Sequence, residues 1–261
     1  MIYKILIFLL AANISIFSQC INPLSIHSHN NYTQDKPLFD GLKNCIKSIE
    51  ADVILKENEL FVAHDEEDIR EEATLQTLYL DPLAVILENK NSDYYFNYEL
   101  FLLIDFKTEA LSTYNKLKEI LINYKKYLSF VDKNGNLVQR KIRIIISGNR
   151  PEEPVLKKDV GFCFLDGRIS DIGKGKSSNL YPIISDNWNF VIDRIGNPEN
   201  KRLQKLKLKD LISRIHKENK LVRFWGIPDD PEHWQLQKGL GVDLINTDRV
   251  SDLNKFLITK N

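Results

Sequence analysis

Short apolar runs alternate with helical periodicities along most of this chain. Strand-like runs occupy Leu24–His29, Ser48–Leu55, Leu100–Lys107, Ile142–Ser147, Gly161–Asp166, Tyr181–Ser185, Leu221–Trp225 and Val242–Asn246. Most of them lack polar alternation, as strands buried on both faces do. Helical patterns fall at Pro37–Cys45, Leu75–Leu87, Glu109–Leu128, Leu203–Asn219, Pro231–Leu240 and Val250–Leu257, and Leu60–Ala63 reads as a short extra strand. Strands alternating with helices predict a parallel sheet, and eight such units in one chain of this length predict closure into a single TIM-type β/α barrel of the α/β class. The stretch from Ile169 to Leu180 carries no helical pattern, so an irregular barrel is expected.

Composition adds bounds. The chain has 261 residues, 28% of them charged, with a formal net charge of zero. No overall field therefore favours nucleic acid or an anionic membrane. Met1–Lys4 is followed by the apolar run Ile5–Ala12, the layout of a secretory signal and too short for a membrane span. The expected organisation is a signal peptide over 1–19 and one barrel domain over 20–261, exported to a periplasmic or extracellular space, with no transmembrane segment. Cys20 raises the alternative of a lipid anchor, although Gln19 is bulky where a lipidation motif carries a small residue. Cys45 and Cys163 read as small buried residues, and no disulfide framework is expected.

Candidate chemistry gathers at the strand ends, which form the working face of such barrels. His29-Asn30-Asn31-Tyr32 closes the first strand, Glu50-Ala51-Asp52 lies on the second, His64-Asp65 follows the extra strand, and Asp105-Phe106-Lys107 ends the third. Residues two apart on a strand share a face, which pairs Glu50 with Asp52, Asp105 with Lys107 and His27 with His29. Crowded carboxylates need a cation or a positive side chain beside them. Two histidines can move protons near neutral pH, and oxygen ligands suit a hard ion such as Mg²⁺ or Ca²⁺. That combination suits phosphodiester cleavage.

These residues carry a resemblance. The chain resembles the phosphatidylinositol phospholipase C-like and glycerophosphodiester phosphodiesterase superfamily. Within it the chain is most similar to the altered-inheritance-of-mitochondria protein 6 family. The matching segments are His27-Ser28-His29-Asn30-Asn31-Tyr32, Glu50 to Val53, His64-Asp65, Ser147 to Pro151, Asp166-Gly167-Arg168, Ile184 to Trp188, Arg223-Phe224-Trp225 and Gly241 to Asp248. Asn31 stands where the family usually has Asp. The resemblance implies a metal-dependent phosphoric diester hydrolase with His29 as base and His64 as acid. It implies Glu50, Asp52 and Asp105 as metal ligands, Asn30 as a further ligand, and Lys107 against the phosphate oxygens. A route through a cyclic phosphate is common among the relatives. The partner would be a small-molecule or lipid phosphodiester, which the sequence does not narrow further; the oligomeric state also stays open.

Other readings stand beside this one. His27 serves equally as a structural hydrogen-bonding residue or in direct chemistry. His216 and His233 read as surface residues on helices, and Gly173-Lys174-Gly175-Lys176-Ser177 reads as a connection, since no strong helix follows it. Trp188 and Trp225 are core or rim aromatics, either of which is a candidate for packing against substrate. An amidohydrolase-type metal hydrolase also opens with His-x-His, but it needs histidines on later strands and these strands carry none. A non-catalytic lipid- or carbohydrate-binding barrel is the remaining alternative.

Overall fold

The computed structural model describes residues 20–153, 161–196 and 200–259. The segment 1–19, read as an export signal, lies outside the described residues. Eleven strands are described: β1 (Leu24–Ser28), β2 (Ile46–Lys56), β3 (Glu59–Val62), β4 (Leu100–Phe106), β5 (Phe130–Val131), β6 (Leu137–Val138), β7 (Ile142–Gly148), β8 (Cys163–Gly167), β9 (Ile183–Asn187), β10 (Leu221–Trp225) and β11 (Leu244–Thr247). Parallel pairing runs through β1, β2, β4, β7, β8, β9, β10 and β11, and β11 pairs back to β1, so the barrel is closed. β3 folds back antiparallel on the long end of β2.

The strand residues divide by face. Ile49, Ala51 and Val53 of β2 point outward into the apolar layer beneath the helices, whereas Ser48, Glu50 and Asp52 alternate with them and point inward. The barrel interior is apolar at its lower end, where Phe101, Leu103, Ile145, Phe164, Ile183 and Leu244 cluster. The β5–β6 hairpin packs Val131 and Leu137 against that same cluster. Beside it Arg143 and Ser129 bond to the Glu99 carboxylate at 2.9 and 2.6 Å, which leaves that buried charge paired. The polar residues of the strands collect at the opposite, C-terminal end.

Helices α1 (Phe39–Lys43), α2 (Asp81–Glu88), α3 (Ala110–Leu121), α4 (Trp188–Arg194), α5 (Lys201–Lys217), α6 (Pro231–Leu240) and α7 (Val250–Thr259) cover the outside. The expected pattern at 75–87 is divided: a wide π turn over Gln76–Leu80 precedes α2, whose second residue, Pro82, has no N–H to continue the ladder. Between β8 and β9 there is a single 3₁₀ turn, Ile169–Asp171, so the irregularity expected there is present. β9 begins two residues later than the apolar run predicts, after Pro182, and its end therefore carries Asp186 and Asn187 rather than Ser185.

The cysteine expectation is corrected. Cys20 and Cys45 form a disulfide, with their Cα atoms 5.5 Å apart. The start of β1 lies against the exit of α1, where the Leu24 N–H donates to the Cys45 carbonyl (2.8 Å), and this brings the two cysteines together. The bridge engages the sulfur that a lipid anchor on Cys20 would require. Cys163 is buried in β8, as expected. No helix among the described residues is long and apolar enough to cross a membrane.

Candidate active site

Strand register builds the floor of the site. Asp52 of β2 stands beside Asp105 of β4, which stands beside Ser147 of β7, in one row across three neighbouring strands. Asp52 is buried, and burial together with the charge of Glu50 raises its pKa. Lys107 Nζ lies 3.0 Å from Asp52 Oδ2 and 2.6 Å from Asp105 Oδ2, bridging the two carboxylates. Burial alone would lower the Lys107 pKa, but Asp105 and Asp52 raise it, so the side chain is an ammonium. The Tyr32 hydroxyl donates to Asp52 Oδ2 at 2.9 Å and lies 3.3 Å from Asn30 Oδ1. Gly148 crosses this row with φ +64°; a Cβ there would sit 2.5 Å from the Phe106 carbonyl and 2.9 Å from Asp105 Oδ1. Glycine is what lets the chain leaving β7 pass so close to the carboxylate.

A second group occupies the neighbouring sector. The His27 ring is bonded at Nδ1 to Ser48 Oγ (2.8 Å) and at Nε2 to Glu50 Oε2 (2.6 Å). Arg223, from the middle of β10, donates to the same Glu50 oxygen at 2.7 Å. Burial and the Arg223 charge lower His27 to about 4, so the ring is neutral near pH 7. Burial would raise Glu50, but Arg223 and His27 hold it well below the usual carboxylate range. With no solvent exposure and both ring nitrogens engaged, His27 fits the structural of its two roles rather than direct chemistry.

Two other histidines are arranged differently. His29 is bonded through Nδ1 to Asp248 Oδ1 at 2.8 Å, and its Nε2 has no hydrogen bond among the described residues. Burial opposes its charge, but the Asp248 hydrogen bond and the Glu50 carboxylate outweigh it, so its pKa is raised. His64 is likewise bonded through Nδ1, to Asp65 Oδ2 at 3.0 Å, and is exposed. Its neighbour Ala63 donates to the Asp52 carbonyl at 3.3 Å, which sets His64 beside the carboxylate row. Each imidazole is thus held by an aspartate at one nitrogen, and the other has no hydrogen bond among the described residues.

The loop after β1 explains Asn31. It is fully buried, its Nδ2 donates to Ser28 Oγ (2.9 Å), and its Oδ1 accepts from the Leu38 N–H (2.6 Å) and the Tyr79 hydroxyl (3.2 Å). The residue organises the loop that carries His29, so its departure from Asp falls on scaffolding. Asn30 turns the chain there with left-handed φ 43° and ψ 44°, a conformation asparagine tolerates better than most residues.

Several polar residues at the mouth were not among the sequence candidates. Asp166 is fully buried and accepts from Ser147 Oγ (2.9 Å), Arg168 Nη1 (2.8 Å) and Ser185 Oγ. Arg223 had a signal, because a charge in the middle of an apolar strand must find a partner. Asp248 ends a segment that carries the resemblance, but its role had no local signal, since it meets His29 across 219 positions. The two tryptophans separate. Trp188 starts α4 and packs on Phe224 at 5.7 Å in the outer layer, away from the barrel mouth, whereas Trp225 shares a strand face with Arg223 and is 38% exposed at the rim. His216 and His233 pair with Asp243 and Asp230 on the exterior, as expected of surface residues. The Gly173–Ser177 segment is a connection, with Lys176 on Asp171 and no helix behind it.

Fit to a divalent cation rests on the donors. Among the described residues, no three His, Cys, Asp or Glu side chains are gathered as a ready metal set, and the charge between Asp52 and Asp105 is that of Lys107. Yet Asp52 Oδ1 is buried without a hydrogen-bond partner, and Glu50, Asp52 and Asp105 outnumber the two cations that face them, Arg223 and Lys107. An all-oxygen donor set with one orphaned carboxylate oxygen fits a hard ion.

Comparison with known proteins bears on the family and the fold. The AIM6-like phosphodiesterase domain family matches residues 15–166. The altered inheritance of mitochondria protein 6 homolog of Arthroderma benhamiae is 29% identical over 88% of this chain and 83% of its own length. The altered inheritance of mitochondria protein 6 of Eremothecium gossypii is 28% identical over 88% of this chain and 69% of its own length. In fold, the chain is similar to a glycerophosphodiester phosphodiesterase from Parabacteroides distasonis, with TM-score 0.57, 13% identity and coverage of 92% of this chain and 99% of that one. A second such enzyme, from Agrobacterium tumefaciens, gives TM-score 0.50 at 13% identity, covering 91% of this chain and 100% of that one. By the family match over more than half its length, the chain belongs to the AIM6-like phosphodiesterase domain family.

Proposed function

We propose that this chain is an exported, divalent-cation-dependent hydrolase of a small-molecule or lipid phosphodiester, with His29 and His64 as its proton-transfer pair. The observation that carries the reading is the matched setting of the two imidazoles: each has an aspartate on Nδ1 and an Nε2 with no hydrogen bond among the described residues. His29, with its pKa raised, withdraws the proton from the attacking hydroxyl. His64, open to solvent, returns one to the departing alcohol, so that no free alkoxide forms. Lys107, once turned from the carboxylates toward the phosphoryl oxygens, meets the charge that grows on them. Glu50, Asp52, Asp105 and the Asn30 carbonyl oxygen would hold the Mg²⁺ or Ca²⁺ ion. When bound, that ion would neutralise phosphoryl charge. Attack by a neighbouring substrate hydroxyl, giving a cyclic phosphate, suits the same acid–base pair.

A chromogenic phosphodiester tests the reading. Turnover should be lost on chelation and return with Mg²⁺ or Ca²⁺, and His29→Ala and His64→Ala should each lose about 10²–10⁴-fold. A diester with a very acidic leaving group should rescue His64→Ala alone. Unchanged turnover in both variants would overturn the assignment, and no turnover of any diester by the parent would favour the binding-barrel alternative.

A further inference from the structure

One cation at the mouth has no use in this chemistry. Arg150 follows Gly148 at the end of β7, and its backbone N–H donates to the Gly148 carbonyl at 2.8 Å. Its half-buried side chain makes no hydrogen bond or ion pair among the described residues. The neighbouring cations are engaged: Arg168 on Asp166, Lys176 on Asp171 at 3.0 Å, Lys107 on the carboxylate row and Arg223 on Glu50. Burial and the like charge of Arg168 both lower the Arg150 pKa, and the more distant Asp166 and Asp171 oppose them only through space. A guanidinium in such a place is costly to the fold unless something anionic visits it.

The place is a cavity of about 450 Å³, lined by Gly148, Arg150, Leu165, Lys176 and Tyr181, with Glu152 and Glu153 on the same wall. That volume is in the range of small-molecule sites, roughly 300–1,000 Å³. Gly148 is its link to the carboxylate row, for it lines the cavity and a Cβ on it would meet Asp105 Oδ1 at 2.9 Å. Lys176 is neutralised by Asp171, and the Glu153 carboxylate accepts from the Tyr181 hydroxyl at 2.9 Å. Arg150 is the cation of this wall that no hydrogen bond or ion pair among the described residues engages. A guanidinium binds a planar carboxylate through two parallel hydrogen bonds, while the nearby Glu152 and Glu153 disfavour a doubly charged phosphate.

We propose that this cavity is a second anion subsite, and that the natural substrate carries a carboxylate or similar monoanion, seated on Arg150, beside the diester that is cleaved. The inference rests on the phosphodiesterase reading for its meaning, but not for its test. Calorimetry would compare ω-phosphonoalkanoates of graded chain length with alkylphosphonates of the same length near neutral pH. At the chain length that spans the two sites, the carboxylate should tighten binding to the parent protein about tenfold, the scale of one charge-assisted hydrogen-bonded pair. Arg150→Gln should abolish that gain, and Arg150→Lys should keep part of it.

Absence of any gain at every length in the parent would overturn the subsite, whatever the variants do. A gain that survives Arg150→Gln, or tighter binding of alkyl bisphosphonates than of phosphonocarboxylates, would overturn it as well. Parallel kcat/KM measurements on p-nitrophenyl diesters, with and without a carboxylate on the second arm, keep the two readings apart. Turnover of both diesters with equal efficiency and a flat binding series leaves the enzyme without the subsite. A binding gain lost in Arg150→Gln, with no diester turned over, leaves the subsite without the enzyme.

Discussion

His29 owes its proton affinity to residues far from it in sequence, and this gives a pH signature. Asp248 and Glu50 raise its pKa against the effect of burial. A general base must be neutral, so kcat/KM rises with pH through the pKa of His29. Asp248→Asn removes the hydrogen bond to a charged partner and should move that rising limb to lower pH, with a smaller plateau because the ring is less firmly held. A limb that stays put or moves upward would show that another group limits the rate. Arg223 has the opposite profile, a role in stability. It is the cation paired with buried Glu50, and removing one partner of a buried pair typically costs about 3–5 kcal/mol. Arg223→Met should lose stability on that scale in urea titration, and Arg223→Met combined with Glu50→Gln should lose clearly less than the sum of the two single changes. Strict additivity would mean that the two side chains do not depend on each other. At this scale the sequence displayed the acidic pairs and the histidines, because strand spacing and family order point at them. It marked Asp166 and Asp248 only as parts of matching segments and did not display their partners or the neutrality of His27, which arise from contacts across the closed barrel.

Elements were more legible than the residues that join them. All eight barrel strands overlap the apolar runs that predict them, because a strand buried on both faces needs a continuous apolar run, although β8, β9 and β11 each start two residues later. The β5–β6 hairpin escaped notice since each of its strands is two residues long. Its turn is nonetheless written in Asp132 to Asn136, where Asp132 Oδ1 accepts from the N–H groups of Asn134 and Asn136 and Gly135 takes φ +82°. Helix α4 was hidden in a similar way behind Asn187, whose side chain caps it. The disulfide belongs to this scale too, because it ties the segment entering β1 to the end of α1. It closes a loop across a separation of 25 residues, for which chain entropy gives about 3 kcal/mol. Reduction, or Cys20→Ser with Cys45→Ser, should lower the unfolding free energy by that order. Identical denaturation curves under oxidising and reducing conditions would show that the bridge is energetically idle.

For the whole molecule, acid stability follows from the group at the centre of the barrel. His27 is held neutral, with its pKa at about 4 against 6.5 when unfolded. Between these values the unfolded chain takes up a proton that the folded chain refuses, so stability falls as pH drops from 6.5 toward 4. Glu50, whose folded pKa is depressed, adds a further loss below its unfolded value of 4.5. His29 works the other way: its pKa is raised, so its contribution is complete below 6.5 and fades as pH rises through the folded value. Unfolding free energy should therefore decline steadily below pH 6.5, and His27→Gln should flatten the curve between 6.5 and 4. An equally steep decline in that variant would place the acid sensitivity elsewhere.

The hairpin that packs Val131 and Leu137 beneath the barrel has a kinetic meaning. With its lower end filled by that apolar cluster, the barrel of the described residues leaves its strand-end mouth as the way in, and what departs retraces that way. Substrate cannot enter while an alcohol or phosphate product still occupies the throat. Product inhibition should then be purely competitive, and a bulky alcohol should slow the next arrival more than it slows the bond-breaking step. Traffic through that door, set by how far the rim residues let a bound molecule pass, becomes a property on which the turnover of this fold depends.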